Sequence, residues 1–185
     1  MWLRNDNADG MAALTDSNEA LTLVSVGQVW GTRKVIDVTV QKGRFPETAA
    51  DARLKTSSGL HDLVASITRN AADVYASQAF SNYGSPANYR IAVVNGDAEL
   101  RSGTGFGILL VRGALNLAAD FTWNGLVLVV GPGAGASRID GTVNGGLFTA
   151  LTLTPAGVTY NITDAAQVRA ASQPFPYSPI AVRER

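Results

Sequence analysis

Four groups of residues could do chemistry, and each demands a specific context. Asn5, Asn7, Asp9 and Gly10, with Asp16 in the twelfth place, follow the outline of a calcium loop of the EF-hand type. Hard oxygen ligands would surround the cation, and Gly10 would allow the sharp turn. Asn stands where such a loop opens on Asp, and Asp stands in place of the bidentate Glu that closes it. The flanks also lack the apolar periodicity of paired helices, so residues 5–18 are expected to be an Asx-turn loop whose side chains cap their own backbone. His61, the single histidine, would need a nucleophile and an orienting acid to serve as a base. No motif supplies them, and a surface or boundary position is expected. Gly103, Gly105 and Gly107 match part of a nucleotide fingerprint but precede a strand-like run, where that motif requires a helix. Gly131, Gly133 and Gly135 lack the lysine of a phosphate loop. Both clusters are read as corners. Glycosidic chemistry needs two carboxylates on one face, whereas Asp97, Glu99, Asp120 and Asp140 are spread singly. No catalytic, cofactor-binding or metal-ligating residue is therefore assigned, no cofactor is implied, and a non-enzymatic protein is expected.

What remains is a repeat that would position such groups if they were there. Residues 90–153 hold four short apolar runs, IAVVNGDAEL, GILLVRGALNL, GLVLVVGPGAG and GLFTALTLT, each introduced or broken by glycine. Gly96 and Gly113 are 17 residues apart, Gly107 and Gly125 are 18 apart, and Gly125 and Gly146 are 21 apart. Strand-like runs at a period of roughly twenty residues are the signature of stacked β-coils, each burying its inner face against its neighbours. Phe106, Ile108 and Leu110 alternate with Gly107, Leu109 and Val111, so this run is apolar on both sides, as in a strand covered on two faces. Leu115, Leu117, Phe121 and Trp123 keep a period of two with polar partners between, one face in and one out. Asn95-Gly96, Asn124-Gly125, Asp140-Gly141 and Asn144-Gly145 mark the turns.

Around the repeat, the chain reads as attachments. Residues 2–4 end a strand. Residues 20–30 and 33–41 are β-rich and form a hairpin through Gly31-Thr32. Residues 42–58 read as a linker. Residues 59–80 carry Leu60, Leu63, Val64, Ile67, Ala71, Val74 and Tyr75 at helical spacing, which predicts one long amphipathic helix. Ser57 or Ser58 would cap it, Asp62 would sit in its first turn, and Asn82 and Gly84 would stop it. Its apolar face would cap an open end or side of the coils. Residues 157–162 suggest a last strand and 164–171 a short helix. Pro174, Pro176 and Pro179 then extend the tail, where Ile180 and Val182 could still pair at a sheet edge. The fold class expected is mainly β with one long helix (α+β), a solenoid-like stack of about three to four coils after a hairpin and a capping helix. One domain of 185 residues would hold all of it: loop and hairpin over 1–56, helix over 57–84, solenoid and Pro-rich tail over 85–185.

Composition narrows the partners. Lys+Arg and Asp+Glu each total 15, which argues against nucleic acid or an anionic membrane as target. Charged residues make up 16% and glycines number 19, a balance that suits a secreted or envelope β-protein. The absence of cysteine removes disulfides, thiolate metal sites and cysteine nucleophiles. No apolar run spans a bilayer and no signal peptide is visible. Met1 followed by Trp-Leu-Arg-Asn reads as the start of a chain trimmed of an upstream segment.

GTGFGILLVRGALNL, then FTWNGLVLVVGPGA, then DGTVNGGLFTA resemble the C-terminal region of PilX-type pilus assembly proteins. The matching blocks run from Gly105 to Leu115, Phe121 to Val127 and Gly141 to Gly146, with a looser likeness in the RNDN loop and the VSVGQVW strand. The resemblance implies a minor, pilin-like component of the type IV pilus machinery in the bacterial cell envelope, facing the periplasm or exterior. It would meet other pilus or secretion-apparatus subunits, with a homo-oligomer possible, and would touch the membrane through a hydrophobic N-terminal helix missing here. The family has no catalytic residues to carry over. Two other classes fit the coils: a carbohydrate-binding or carbohydrate-active β-helix protein, and a cytosolic polymer-forming β-helix.

Overall fold

The computed structural model describes residues 2–5 and 20–184; the rest of the candidate calcium loop after Asn5 lies outside them. The described chain divides into two compact units, one made by the segments up to Gly43 and from Phe175 onward, the other by residues 44–174.

The first unit begins with the expected strand end, β1 (Trp2–Asn5), paired antiparallel to β2 (Ala20–Val29). β2 and β3 (Thr32–Lys42) form the expected hairpin in unbroken register from Ala20↔Gln41 to Val29↔Thr32. The turn itself falls one residue earlier than Gly31-Thr32, on Trp30 (φ 50°) and Gly31 (φ 79°), the two positive φ values that a tight right-twisted hairpin needs.

The second unit is a β-solenoid. Residues 44–56, read as a linker, are anchored: Phe45, Pro46 and Leu54 are buried, and Phe45 N–H donates to Ser172 Oγ at 3.1 Å. A loop offers no periodicity by which such anchors could be recognised. A helix follows, α1 (Ser57–Arg69), buried through Leu60, Leu63, Val64 and Ile67 as its spacing requires. It is 13 residues long rather than the 22 expected. Thr56, not a serine, caps it, its Oγ1 accepting from Gly59 N–H at 3.1 Å. Asn70 ends it, folding its Nδ2 back onto Ser66 O at 2.8 Å. Residues 71–80 carry apolar positions that fit both a helix and a strand, and the free edge of the next coil decides between them. They form β4 (Asp73–Tyr75) and the start of β5 (Gln78–Tyr83). Because α1 begins at Ser57, two residues before the expected Gly59, Asp62 lies beyond its first turn.

The coils then run through β6 (Arg90–Val94), β7 (Ala98–Val111), β8 (Leu115–Leu117), β9 (Phe121–Val130), β10 (Arg138–Ile139) and β11 (Thr142–Ala150). All pair in parallel and stack into three faces. One holds β4, β6 and the C-terminal parts of β7, β9 and β11. The second holds the start of β5, the start of β7, then β8 and β10. The third holds the end of β5, the middle of β7 and the starts of β9 and β11. This makes about four coils, as expected. The period runs from Ala98↔Leu115 through Gly107↔Gly125 and Gly125↔Gly145 to Asn116↔Arg138, lengthening as turns are added. β12 (Val158–Ile162) closes the sheet antiparallel to β11, and α2 (Ala165–Ala171) follows, capped by Asp164.

Inside the coils lies a dry core of Phe80, Ala92, Val94, Leu100, Leu109, Leu115, Leu117, Phe121, Trp123, Val127 and their neighbours. On the first face the opposite parity, Ile91, Ile108, Leu110, Leu126 and Leu128, is also fully buried. The reason is that helices lie against it: α1 contacts β6 and β7, and α2 contacts β7, β9 and β11. The doubly apolar run at 106–111 is a strand covered on both sides. α1 therefore lies along a side of the coils, contacting their strands, rather than serving as an end cap. Trp123 organises the interior. Its ring lies where Gly105, its neighbour one coil earlier, has no side chain, so Tyr83 stacks on it at 5.9 Å across that gap. Its Nε1–H donates to Gly107 O at 3.0 Å. Burying an indole of this size contributes about 3 kcal/mol, and a well-placed ring pair roughly 1 kcal/mol more.

The chain then returns to the first unit as β13 (Tyr177–Glu184), antiparallel to β3, with a register shift between Pro179 and Ala181. The Pro-rich tail is thus a sheet strand, with Ile180 and Val182 on it.

The corners permit the stacking. Gly107, Gly125 and Gly145 occupy one position in successive coils, with φ of 133°, 130° and 141°. A Cβ on Gly125 would stand 2.2 Å from Gly107 O, and one on Gly145 1.9 Å from Gly125 O. We predict that Gly125→Ala lowers unfolding stability by about 3 kcal/mol or more, combining left-handed strain with a backbone clash. Gly135→Ala, whose Cβ would meet Leu151 at an ordinary 3.4 Å, should change it by less than about 1 kcal/mol. Urea denaturation of the two variants checks the difference.

Candidate functional site

The side chains outside the coils form columns, because each coil presents the same position one strand spacing further on. On the second face two columns flank a groove. Ala79, Glu99, Asn116 and Arg138 are register partners on β5, β7, β8 and β10. Beside them run Ser77, Asp97, Ala114 and Ala136 at the preceding corner. Between the columns run Gln78, Ala98 and Leu115, whose register column turns into the core, with Ala98 and Leu115 only 3% and 1% exposed. Together these residues line an open groove of 670 Å³. The outward alanines make it concave, since a larger side chain at 79, 114 or 136 would fill it.

The polar groups are held by neighbours. Glu99 Oε2 accepts from Arg101 Nη2 at 2.9 Å. Asp97 Oδ1 accepts from Ala114 N–H at 2.8 Å, tying one coil to the next. Arg138 Nε pairs with Asp140 Oδ2. The groove thus carries charge of both signs, with each charged side chain already engaged.

Two further polar clusters stand elsewhere in the solenoid. At the first coil, Tyr83 OH donates to Asp73 Oδ2 at 2.7 Å, and Arg90 Nη2 lies 2.8 Å from the same carboxylate. Arg90 also sits 5.6 Å from the centre of the Tyr83 ring. Burial, with the Asp73 carboxylate second, pushes the Tyr83 phenol well above its ordinary range, so it is a fixed donor rather than a proton carrier. Near the other end, Phe45, Phe148 and Tyr160 pack edge to face at 5.7–6.1 Å. Tyr160 OH donates to Pro46 O at 2.7 Å, and burial raises this phenol also.

The residues singled out for chemistry fall as follows. Asp97 and Glu99, spread along the sequence, are brought into one groove; Asp120 and Asp140 lie outside it, near the corners that lead to the third face. His61 is exposed on α1. Gly103 and Gly107 are corners of positive φ, while Gly105 makes the space for Trp123. Gly133 and Gly135 lie in the short 3-10 turn Pro132–Ala136 before β10, and Gly131 caps it. Asn116 escaped notice as a lone polar residue between Leu115 and Leu117, and Arg138 because it stands in a Ser-Arg-Ile run too short to show a period. Their equivalence emerges only when the coils are aligned. Among the described residues no three His, Asp or Glu side chains gather to hold a metal ion. No helix among them is long and apolar enough to cross a membrane. Comparison with protein-family models, characterised proteins and solved structures finds no match for this chain.

One ion pair of this unit gives its stability a pH dependence. Arg169 Nη2 donates to Glu47 Oε2 at 2.6 Å, on a carboxylate largely shielded from water. The hydrogen bond from Arg169 holds Glu47 below its ordinary value, against the opposing effect of burial. Asp51 is lowered likewise by Arg53. A folded-state pKa below the unfolded one stabilises above the unfolded pKa, and that stability is lost as pH falls through the folded one. Unfolding stability should therefore hold from pH 7 to about 5 and decline below about pH 4.3, the unfolded glutamate value. Glu47→Gln should lower stability at pH 7 by about 1 kcal/mol and flatten the acid limb. Urea titrations across pH 2.5–7 check both; an unchanged acid limb in the variant would refute the assignment.

Proposed function

We propose that this protein is a non-enzymatic structural or accessory component of a type IV pilus or a related secretion apparatus, acting through protein–protein contacts. It would stand on the periplasmic or outer side of the bacterial envelope, with an inner-membrane anchor in the full-length protein. The observation that carries the contact-making part is one face of the four-stranded sheet. Cross-strand partners share a face. Leu21 pairs with Val40, Leu23 with Val38, and Val38 with Val182, while Ile36 continues the row on β3. This apolar row is half-buried or exposed, with Ile36 at 40% and Val182 at 69%. A contiguous apolar patch in water is the mark of an interaction site. The pilus assignment rests on the motif blocks, of which the three main ones fall in the coils: Gly105–Leu115 spans β7 to β8, Phe121–Val127 lies in β9, and Gly141–Gly146 leads into β11.

Deleting the gene in its own host and counting surface pili by electron microscopy tests the reading. Loss of pili, restored by the wild-type gene but not by Val182→Asp, is expected. Val182 is largely exposed, so the charge should leave the fold intact and spoil the contact. Normal piliation in the deletion strain would overturn the proposal.

A further inference from the structure

We infer that the groove on the second face is a binding site for a neutral polysaccharide, laid along the solenoid axis with about one sugar ring per coil. This goes beyond the pilus reading and stands or falls separately.

The first reason is spacing. Ala79, Glu99, Asn116 and Arg138 are consecutive register partners in parallel strands, so side chains recur along the groove at about 4.8 Å. That repeat is close to the rise of one pyranose ring in an extended glycan. An extended peptide instead turns a side chain to the same side about every 6.7 Å and would fall out of step within two coils. Four coils span roughly 14 Å between the outer columns, room for about three rings.

The second reason is the state of the charges. Glu99 is paired with Arg101, Arg138 with Asp140, and Asp97 with the Ala114 backbone N–H. Glu99 and Arg138 are each balanced by an adjacent opposite charge, which leaves a charged ligand little net attraction there. Hydroxyl groups need no net charge, because each both donates and accepts. A paired carboxylate keeps spare lone pairs, a guanidinium keeps spare N–H groups, and the amides of Gln78 and Asn116 offer both. The groove thus presents alternating donors and acceptors on a fixed ladder.

The third reason is shape. Alanine at 79, 114 and 136 keeps the groove open along the coils, and a continuous β-ladder lies beneath it, so little ordering is required on binding.

The test is a two-dimensional amide NMR titration of the whole chain. The probes are cellohexaose, maltohexaose and chitohexaose as neutral glycans, a hexagalacturonate as a charged one, and an uncharged hexapeptide. At least one neutral hexasaccharide should shift resonances of residues 77–79, 97–99, 114–116 and 138, with a Kd of about 1 mM or tighter. Asn116→Ala and Glu99→Gln should each weaken that binding about fivefold or more, as expected for a lost hydrogen bond, at an unchanged melting temperature. Preference for the hexagalacturonate or the peptide, shifts outside the groove, no binding by any neutral glycan, or binding indifferent to both substitutions would each overturn the inference.

Discussion

The solenoid depends on one close approach, the backbone of a corner glycine lying against the carbonyl of the coil before it. Gly107 meets Arg90 O, Gly125 meets Gly107 O and Gly145 meets Gly125 O. Each contact would be under 2.3 Å if a Cβ were present. The corner is where the chain changes face, and the carbonyls of adjacent coils must still face their donors there. Any side chain at that point would push the coils apart beyond hydrogen-bonding distance. The strands themselves are ordinary; the corners make them stackable.

Register follows from this. Because Gly107, Gly125 and Gly145 are aligned, every position between them is aligned as well, and the side chains form columns. Inward columns exclude water by matching size, which explains why Trp123 faces Gly105 on one side of it and Val143 on the other. Outward columns meet three different fates. On the first face α1 and α2 cover them, so the strands there are apolar on both parities. On the third face Asn144 donates to Asn124 at 3.1 Å, a side-chain ladder that satisfies itself in water. On the second face nothing among the described residues turns the columns inward or buries them, and the groove results.

Legibility in the sequence tracked this hierarchy. The coil period, the doubly covered run at 106–111, the inward set Leu115, Leu117, Phe121 and Trp123, and the hairpin were all readable, because each expresses a short-range periodicity. The length of α1 was not. Val74 and Tyr75 satisfy a helical spacing, and they become a strand because β6 offers them a parallel edge, a choice made by tertiary contact. The burial of Phe45 was invisible for the opposite reason: a single anchor in a loop has no period at all. Asp97 and Glu99 were legible as acids but not as neighbours of Asn116 and Arg138. Turn insertions lengthen the period from 17 to 22 residues between Ala98↔Leu115 and Asn116↔Arg138, so equal positions do not recur at equal intervals.

The same geometry bears on whether the groove holds or cleaves what it binds. Glycosidic chemistry asks one carboxyl to give up a proton and another to attack or activate water. Here Asp97 ties its oxygen to the backbone of the next coil, and Glu99 is matched by Arg101. Both carboxylates already act as hydrogen-bond acceptors, Asp97 toward the next coil and Glu99 toward a guanidinium. Asp97 thereby braces one coil against the next, while Glu99 is tied within its own strand. On the proposed reading these acids serve a glycan as fixed hydrogen-bond acceptors rather than as an acid–base pair. The two proposed contact surfaces accordingly differ in kind: the groove of the second unit is polar and periodic, and the sheet face of the first unit is apolar.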